Sequence, residues 1–327
     1  MLRRLAPALL LACAACTSEQ ASDGAAPGAA SAFQSPGDAA RASSEAYLVW
    51  SADSAHAAET AWIDGEGRVV ARRPGVFVAG GGGVWRWTEG KQMTTGLDCE
   101  CLREKEYAEG AQCPARAEVA TVDLVDLLGG RRVRVLDAPN ADSLEIAPPE
   151  QWATPLAGAG PYLFVETRTD VFACGAHGSL GVEAAVYDLA SGARVALLDS
   201  AEAAAALARE GEAARARLNR AEEMRDSPAD AVDLTEVEAR WTPAGELEVA
   251  YQFTAGACYA CSDGHSSSYS RSEIVPASRV PGRLAAWTRA PEAVRRYWRA
   301  APPLAESGWS RVDAADPAAA LARFRGP

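Results

Sequence analysis

Lysine is almost missing from this chain. Only Lys91 and Lys105 stand among 32 basic residues, while acidic residues number 44, for a net charge of −12. A surface of that sign repels phosphate backbones, which argues against nucleic acid as a partner. The preference for arginine, with heavy alanine use, matches codon usage in a GC-rich genome, so alanine carries less helix information here than usual. Histidine is also scarce, at three residues. No apolar run reaches the ~20 residues that a membrane-spanning helix needs. The four glycines at 80–83 lack the Gly-Lys-Ser/Thr ending of a phosphate loop and read as a permissive hairpin. There is no Gly-x-Ser-x-Gly elbow, since HGSLG at 177–181 has the wrong register. His265 beside Ser266, Ser267 and Ser268 reads as a polar loop, and the carboxylates scatter over turns and a helix. The sequence therefore names no reaction and calls for no cofactor.

What is present starts at the N-terminus. Arg3 and Arg4 precede an apolar stretch from Leu5 to Ala12, and small residues then lead into Cys13 and Cys16. That order is the layout of an export signal. Leu10-Leu11-Ala12-Cys13 resembles the lipobox of bacterial lipoproteins, whose leader is cut just before a cysteine that is then acylated. The resemblance implies lipidation at Cys13, with Cys16 as the alternative. Cutting before Cys13 leaves seven further cysteines, an odd number, whereas cutting before Cys16 leaves six that can all pair. It also implies attachment to a membrane through the lipid. Neither cysteine is followed by Asp, which by the same resemblance points to the outer membrane; a soluble secreted or periplasmic protein is the alternative.

Residues 1–12 thus read as a leader and 13–45 as a tether. The tether is rich in Ala, Ser, Gly and Pro, has almost nothing large to bury, and is expected to be disordered with a reach of ~30 Å. From 46 to 290 short β-type runs alternate with turn signals. They include AYLVW (46–50), GVFVA (75–79), ATVDLVDL (120–127), YLFVET (162–167), EAAVYDL (183–189) and ELEVAYQF (246–253). A helical insertion is predicted over 200–225, with Asp199 as N-cap, Glu202 three residues on, and Pro228 closing it. Residues 291–327 read as a helical tail.

Three stretches repeat the order strand, cysteine-bearing loop, strand. The piece VYDLASGARVALLD resembles the outer hairpin of a β-propeller blade, and VDLVDLLGGRRVRVLD is a looser copy. The fold class expected is mostly β: a propeller-like meander of antiparallel hairpins, or alternatively a two-sheet β-sandwich. The loops of such a repeat would share a face and gather Cys99, Cys101, Cys113, Cys174, Cys258 and Cys261. Outside the cytoplasm these are disulfide candidates. Cys113 is expected to pair with Cys99 or Cys101, and Cys258 with Cys261. The alternative is a thiolate–imidazole metal site built from Cys174, His177, Cys258, Cys261 and His265. The expected function is a binding or structural role in the cell envelope, with an envelope protein or a polysaccharide as partner.

Overall fold

The structure, a computed structural model, describes residues 45–52, 58–105, 113–139, 147–172, 174, 178–221, 224, 228–256 and 270–326. The expected leader and tether, Cys13 and Cys16 with them, lie outside the described residues.

The chain is mostly β, and its strands come as four consecutive antiparallel meanders. The first is β1 (Ala46–Ala52), β2 (Ala58–Asp64) and β3 (Val69–Pro74). The second is β4 (Phe77–Gly80), β5 (Gly83–Leu97), β6 (Pro114–Asp126) and β7 (Arg132–Leu136), with the short helix α1 (Cys99–Glu104) between β5 and β6. The third is β8 (Glu150–Ala159), β9 (Tyr162–Phe172), β10 (Gly178–Asp188) and the two-residue β11 (Ala193–Arg194). After α2 (Ser200–Leu218) comes the fourth: β12 (Asp233–Trp241), β13 (Leu247–Gly256) and β14 (Ser270–Pro276). A 3-10 turn (Gly282–Trp287), α3 (Glu292–Ala300), β15 (Glu306–Arg311) and α4 (Pro317–Arg325) follow.

These strands make three sheets rather than a ring of separate blades. The second and fourth meanders are sheets of four and three strands, while the first and third merge into one of eight, ordered β11-β10-β9-β8-β15-β1-β2-β3. The merger is the work of β15, which runs antiparallel to β1 and parallel to β8. Residues 291–327 therefore contribute a central strand besides two helices, a departure from the helical tail expected there.

Alternating side chains assign the faces of the large sheet. Tyr47, Val49, Phe164 and Trp309 join one core with Trp241, Tyr251, Phe253 and Trp298, which belong to the three-stranded sheet and α3. Trp50, Leu163 and Val165 join a second core with Val78, Trp85 and Leu124 of the four-stranded sheet. Leu48 and Trp62 meet Phe77 and Phe324 in a third. The large sheet is thus buried on both faces. Aromatic side chains occupy much of that interior because each removes a large apolar area from water.

Helix α2 has the capping box its sequence announces: the Asp199 carboxylate accepts from the Glu202 N–H at 2.8 Å, and Glu202 reaches back to the Asp199 N–H. Its buried face carries Ala206, Gly211, Ala214 and Leu218 with one charged residue, Glu210, whose carboxylate accepts from the Ser278 N–H at 3.1 Å, whereas Leu207 is exposed. The small residues of that face let the helix lie close on the sheet. Helix α4 is anchored by Phe324, packed against Phe77 and Trp62 with ring centroids at 5.2 and 5.7 Å. The Arg73 guanidinium donates to the carbonyls of Arg323 and Phe324, supplying charge and donors at the helix C-terminus.

Candidate functional site

The β5–β6 connection begins with Asp98, whose carboxylate accepts from the N–H groups of Glu100 and Cys101, both at 3.0 Å, and so starts α1. Its base is closed by the Asp98 N–H donating to the Cys113 carbonyl at 2.7 Å. Of the two partners the sequence offered Cys113, the structure uses Cys101, with the Cα atoms 5.7 Å apart. Cys99 bonds instead to Cys174 in the β9–β10 connection, 75 residues away. The sulfur of Cys174 is therefore committed to a disulfide and is not free as a thiolate for the metal set that included it. The other members of that set, His177, Cys258, Cys261 and His265, lie outside the described residues. Among the described residues no group of three His, Cys, Asp or Glu is placed to hold a metal ion.

Register shows which strand ends come together. The Trp241 indole N–H donates to the Gly158 carbonyl at 2.9 Å, and the Glu236 carboxylate accepts from the Ala184 N–H at 2.7 Å. Ala184 pairs with Glu166, which pairs with Thr154. Strand β12 thus runs alongside β8 in the same direction. The strand ends at Phe172, Gly178, Gly256 and Ser270 consequently point to one end of the domain, the end that carries the Cys99–Cys174 bond.

Three of the clefts among the described residues bear on this framework. The first, about 330 Å³, lies between β10, the chain after β11, and β12, with Val186, Leu197, Leu198 and Leu234 in its lining. Strand β11 is too short to cover the edge of β10, and side chains take its place: Glu236 receives the Ala184 N–H, while Arg194 donates to the Ala184 carbonyl. Burial raises the Glu236 carboxyl above the ordinary glutamate range, the Ala184 N–H opposes the rise, and the neighbouring Glu166 and Glu183 add to it. Glu238 is raised as well, first by burial and then by Glu236 and Glu166.

The second cleft, about 500 Å³, lies over the outer face of the three-stranded sheet. Ala250, Ile274 and Val280 line it, and Arg240 pairs there with Glu248 at 2.8 Å.

The third, about 440 Å³, separates the β5–β6 arm from β8. On β5, Trp85 and Trp87 are core residues; further along the same face stand Glu89 and Lys91, where the large sheet no longer covers the arm. Val122 and Ala120 sit opposite them in register and form the floor with Ala153. Trp152, 38% exposed, lies on β8 between Gln151 and Ala153, so alternation turns its indole to the opposite face of the sheet. The Gln151 amide donates to the carbonyls of Ala120 and Asp137, pinning the start of β8 to the arm.

None of Trp152, Glu89, Lys91, Glu236 or Glu238 stands out in the sequence as a site residue. The available signal was a pair of glutamates alternating with the apolar residues of β12. The chain matches no protein-family model, no curated protein and no solved structure.

Proposed function

We propose that this chain is an exported envelope lipoprotein whose β domain recognises a ligand rather than transforming one. Its leader ends at Leu10-Leu11-Ala12, and Cys13, or Cys16 in its place, carries the lipid that holds the protein at the outer membrane. The observation that carries the reading is a pair of disulfides, Cys101–Cys113 within the β5–β6 connection and Cys99–Cys174 joining that connection to the one between β9 and β10. Such bonds persist in oxidising compartments and are rare where thiols are kept reduced. At the level of fold, the four meanders read as a propeller-like set in which the first and third units share a sheet.

The test is expression of the chain with its own N-terminus in a bacterium that has an outer membrane, followed by fractionation and mass analysis. The expected result is an outer-membrane protein with an acylated N-terminal cysteine and with Cys99, Cys101, Cys113 and Cys174 all oxidised. An unmodified N-terminus at another residue, together with free thiols, sinks the proposal.

A further inference from the structure

We propose that the cleft over the outer face of the three-stranded sheet binds a small organic cation, an ammonium carried on an aliphatic body. This rests on the reading of the chain as an envelope binding protein and names the ligand class that the protein takes.

Alternation builds the cleft. Ala239 and Trp241 of β12 are buried in the core, so Glu238 and Arg240 stand on the other face. In register across the sheet, Glu238 faces Ala250 and Ala250 faces Pro276, with Ile274 two residues from Pro276 on the same face. Ala250, at the centre, carries only a methyl group, and the space above it is part of a cleft of about 500 Å³. One wall is thus a carboxylate. The other, two strand spacings or about 10 Å away, is aliphatic: Pro276, Ile274 and Val280. Ile274 is 49% exposed and Val280 36%, so this wall still has apolar area to bury. The volume suits a small molecule.

Charge selects the occupant. Glu238 is half-buried, and among the described residues it has neither a hydrogen bond nor an ion pair. Two of the charges that act on it, Glu236 and Glu166, are negative. The third, Arg240, is held across the sheet by Glu248 at 2.8 Å. A carboxylate partly withdrawn from water and given no donor is costly, and a cation that brings both charge and N–H donors removes that cost. An anion meets repulsion from Glu238, Glu236 and Glu166. A neutral apolar molecule would cover Glu238 without replacing its water. A metal ion lacks ligands, since among the described residues no three such groups converge. An alkylammonium satisfies both walls, with its charge at Glu238 and its methylenes crossing Ala250 to Ile274 and Val280.

The test uses the full chain with carbon-13 in the δ1 methyl groups of isoleucine. The chain has three isoleucines, Ile63, Ile146 and Ile274, and Ile274→Val identifies the resonance in the cleft. Hexylamine is titrated at neutral pH, with 1-hexanol and sodium hexanoate alongside. Hexylamine is expected to shift the Ile274 resonance saturably in roughly the millimolar range, while Ile63, which is fully buried, stays in place. Glu238→Gln should weaken that binding by on the order of tenfold. The amide keeps the shape of the side chain and removes a charge that has no partner, so the variant is expected to fold, and an unmoved Ile63 resonance verifies it. Ala250→Leu, which fills the floor and leaves the charges alone, should weaken binding as well. The proposal is overturned if hexylamine does not move the Ile274 resonance, if hexanol or hexanoate binds as tightly, or if Glu238→Gln leaves the affinity unchanged. Should hexylamine fail while the protein is acylated and oxidised, only the ligand class falls. Should it bind a chain that is neither exported nor acylated, the envelope reading falls and the site stands.

Discussion

Gly158 and Gly308 face each other across the parallel ladder between β8 and β15, so closely that a Cβ on Gly308 would stand 2.4 Å from the Gly158 nitrogen. The same Cβ would lie 2.7 Å from the Trp50 indole nitrogen. Neither glycine has a positive φ; what both positions require is the absence of a side chain. Gly308→Ala should therefore force β15 away from β8 and destabilise the domain by about 1–3 kcal/mol, the usual range for overpacking a filled core. Urea unfolding against the parent protein checks this, and an unchanged midpoint would contradict it.

Glu238 sets up a pH dependence. Burial, Glu236 and Glu166 hold its carboxyl above the ordinary value in the folded chain, so the folded state binds its proton more tightly than the unfolded state does. Stability from this group is fully present below the unfolded value of about 4.3 and is lost as pH rises through the folded value. At neutral pH the half-buried charge is a burden. Glu238→Gln should raise the urea midpoint at neutral pH, with the advantage shrinking toward zero in acid. A variant that is less stable than the parent at neutral pH would refute the assignment.

The two disulfides should differ in weight. In the chain-entropy account, the Cys99–Cys174 bond, closing 75 residues, contributes about 4.5 kcal/mol, and the Cys101–Cys113 bond, closing 12, about 2.8 kcal/mol. Paired Cys→Ser variants measured by thermal unfolding should rank in that order. The reverse order would mean that the reduced chain keeps the long loop nearly closed.

Phe324 is fully buried and packs on Phe77 and Trp62. Phe324→Ala should cost about 3–5 kcal/mol. Because Arg73 then loses the helix end it caps, amide exchange should quicken through α4 before it does in β1 or β9. Uniform exchange across the domain would show that α4 is not a separate local unit.

Helix α2 was legible because its start is written locally, in Asp199 and Glu202. The Gly80–Gly83 hairpin was legible for a similar reason: Gly81 and Gly82 both take positive φ, as two adjacent glycines allow. Strands β8 and β15 were not legible. β8 contains Pro155, which is tolerated because the β8–β9 register shifts between Pro155 and Ala157. β15 reads ESGWSR, yet Ser307 and Ser310 are buried, with the Ser310 hydroxyl accepting the Ala79 N–H at 2.7 Å. Partners that far away in sequence leave no local trace. The clefts were hidden for the same reason: Glu236 resembles a solvated strand residue until the edge of β10 is placed beside it.

Strand β15 also governs timing. It emerges from synthesis, or from a translocation pore, after every strand it joins, so β1 and β8 must wait with their adjoining edges unpaired. Exposed edges of that kind invite pairing with other chains. The interval between the appearance of Ala159 and that of Trp309 is thus the period when the chain is most open to aggregation, and when an escorting chaperone would have most to protect.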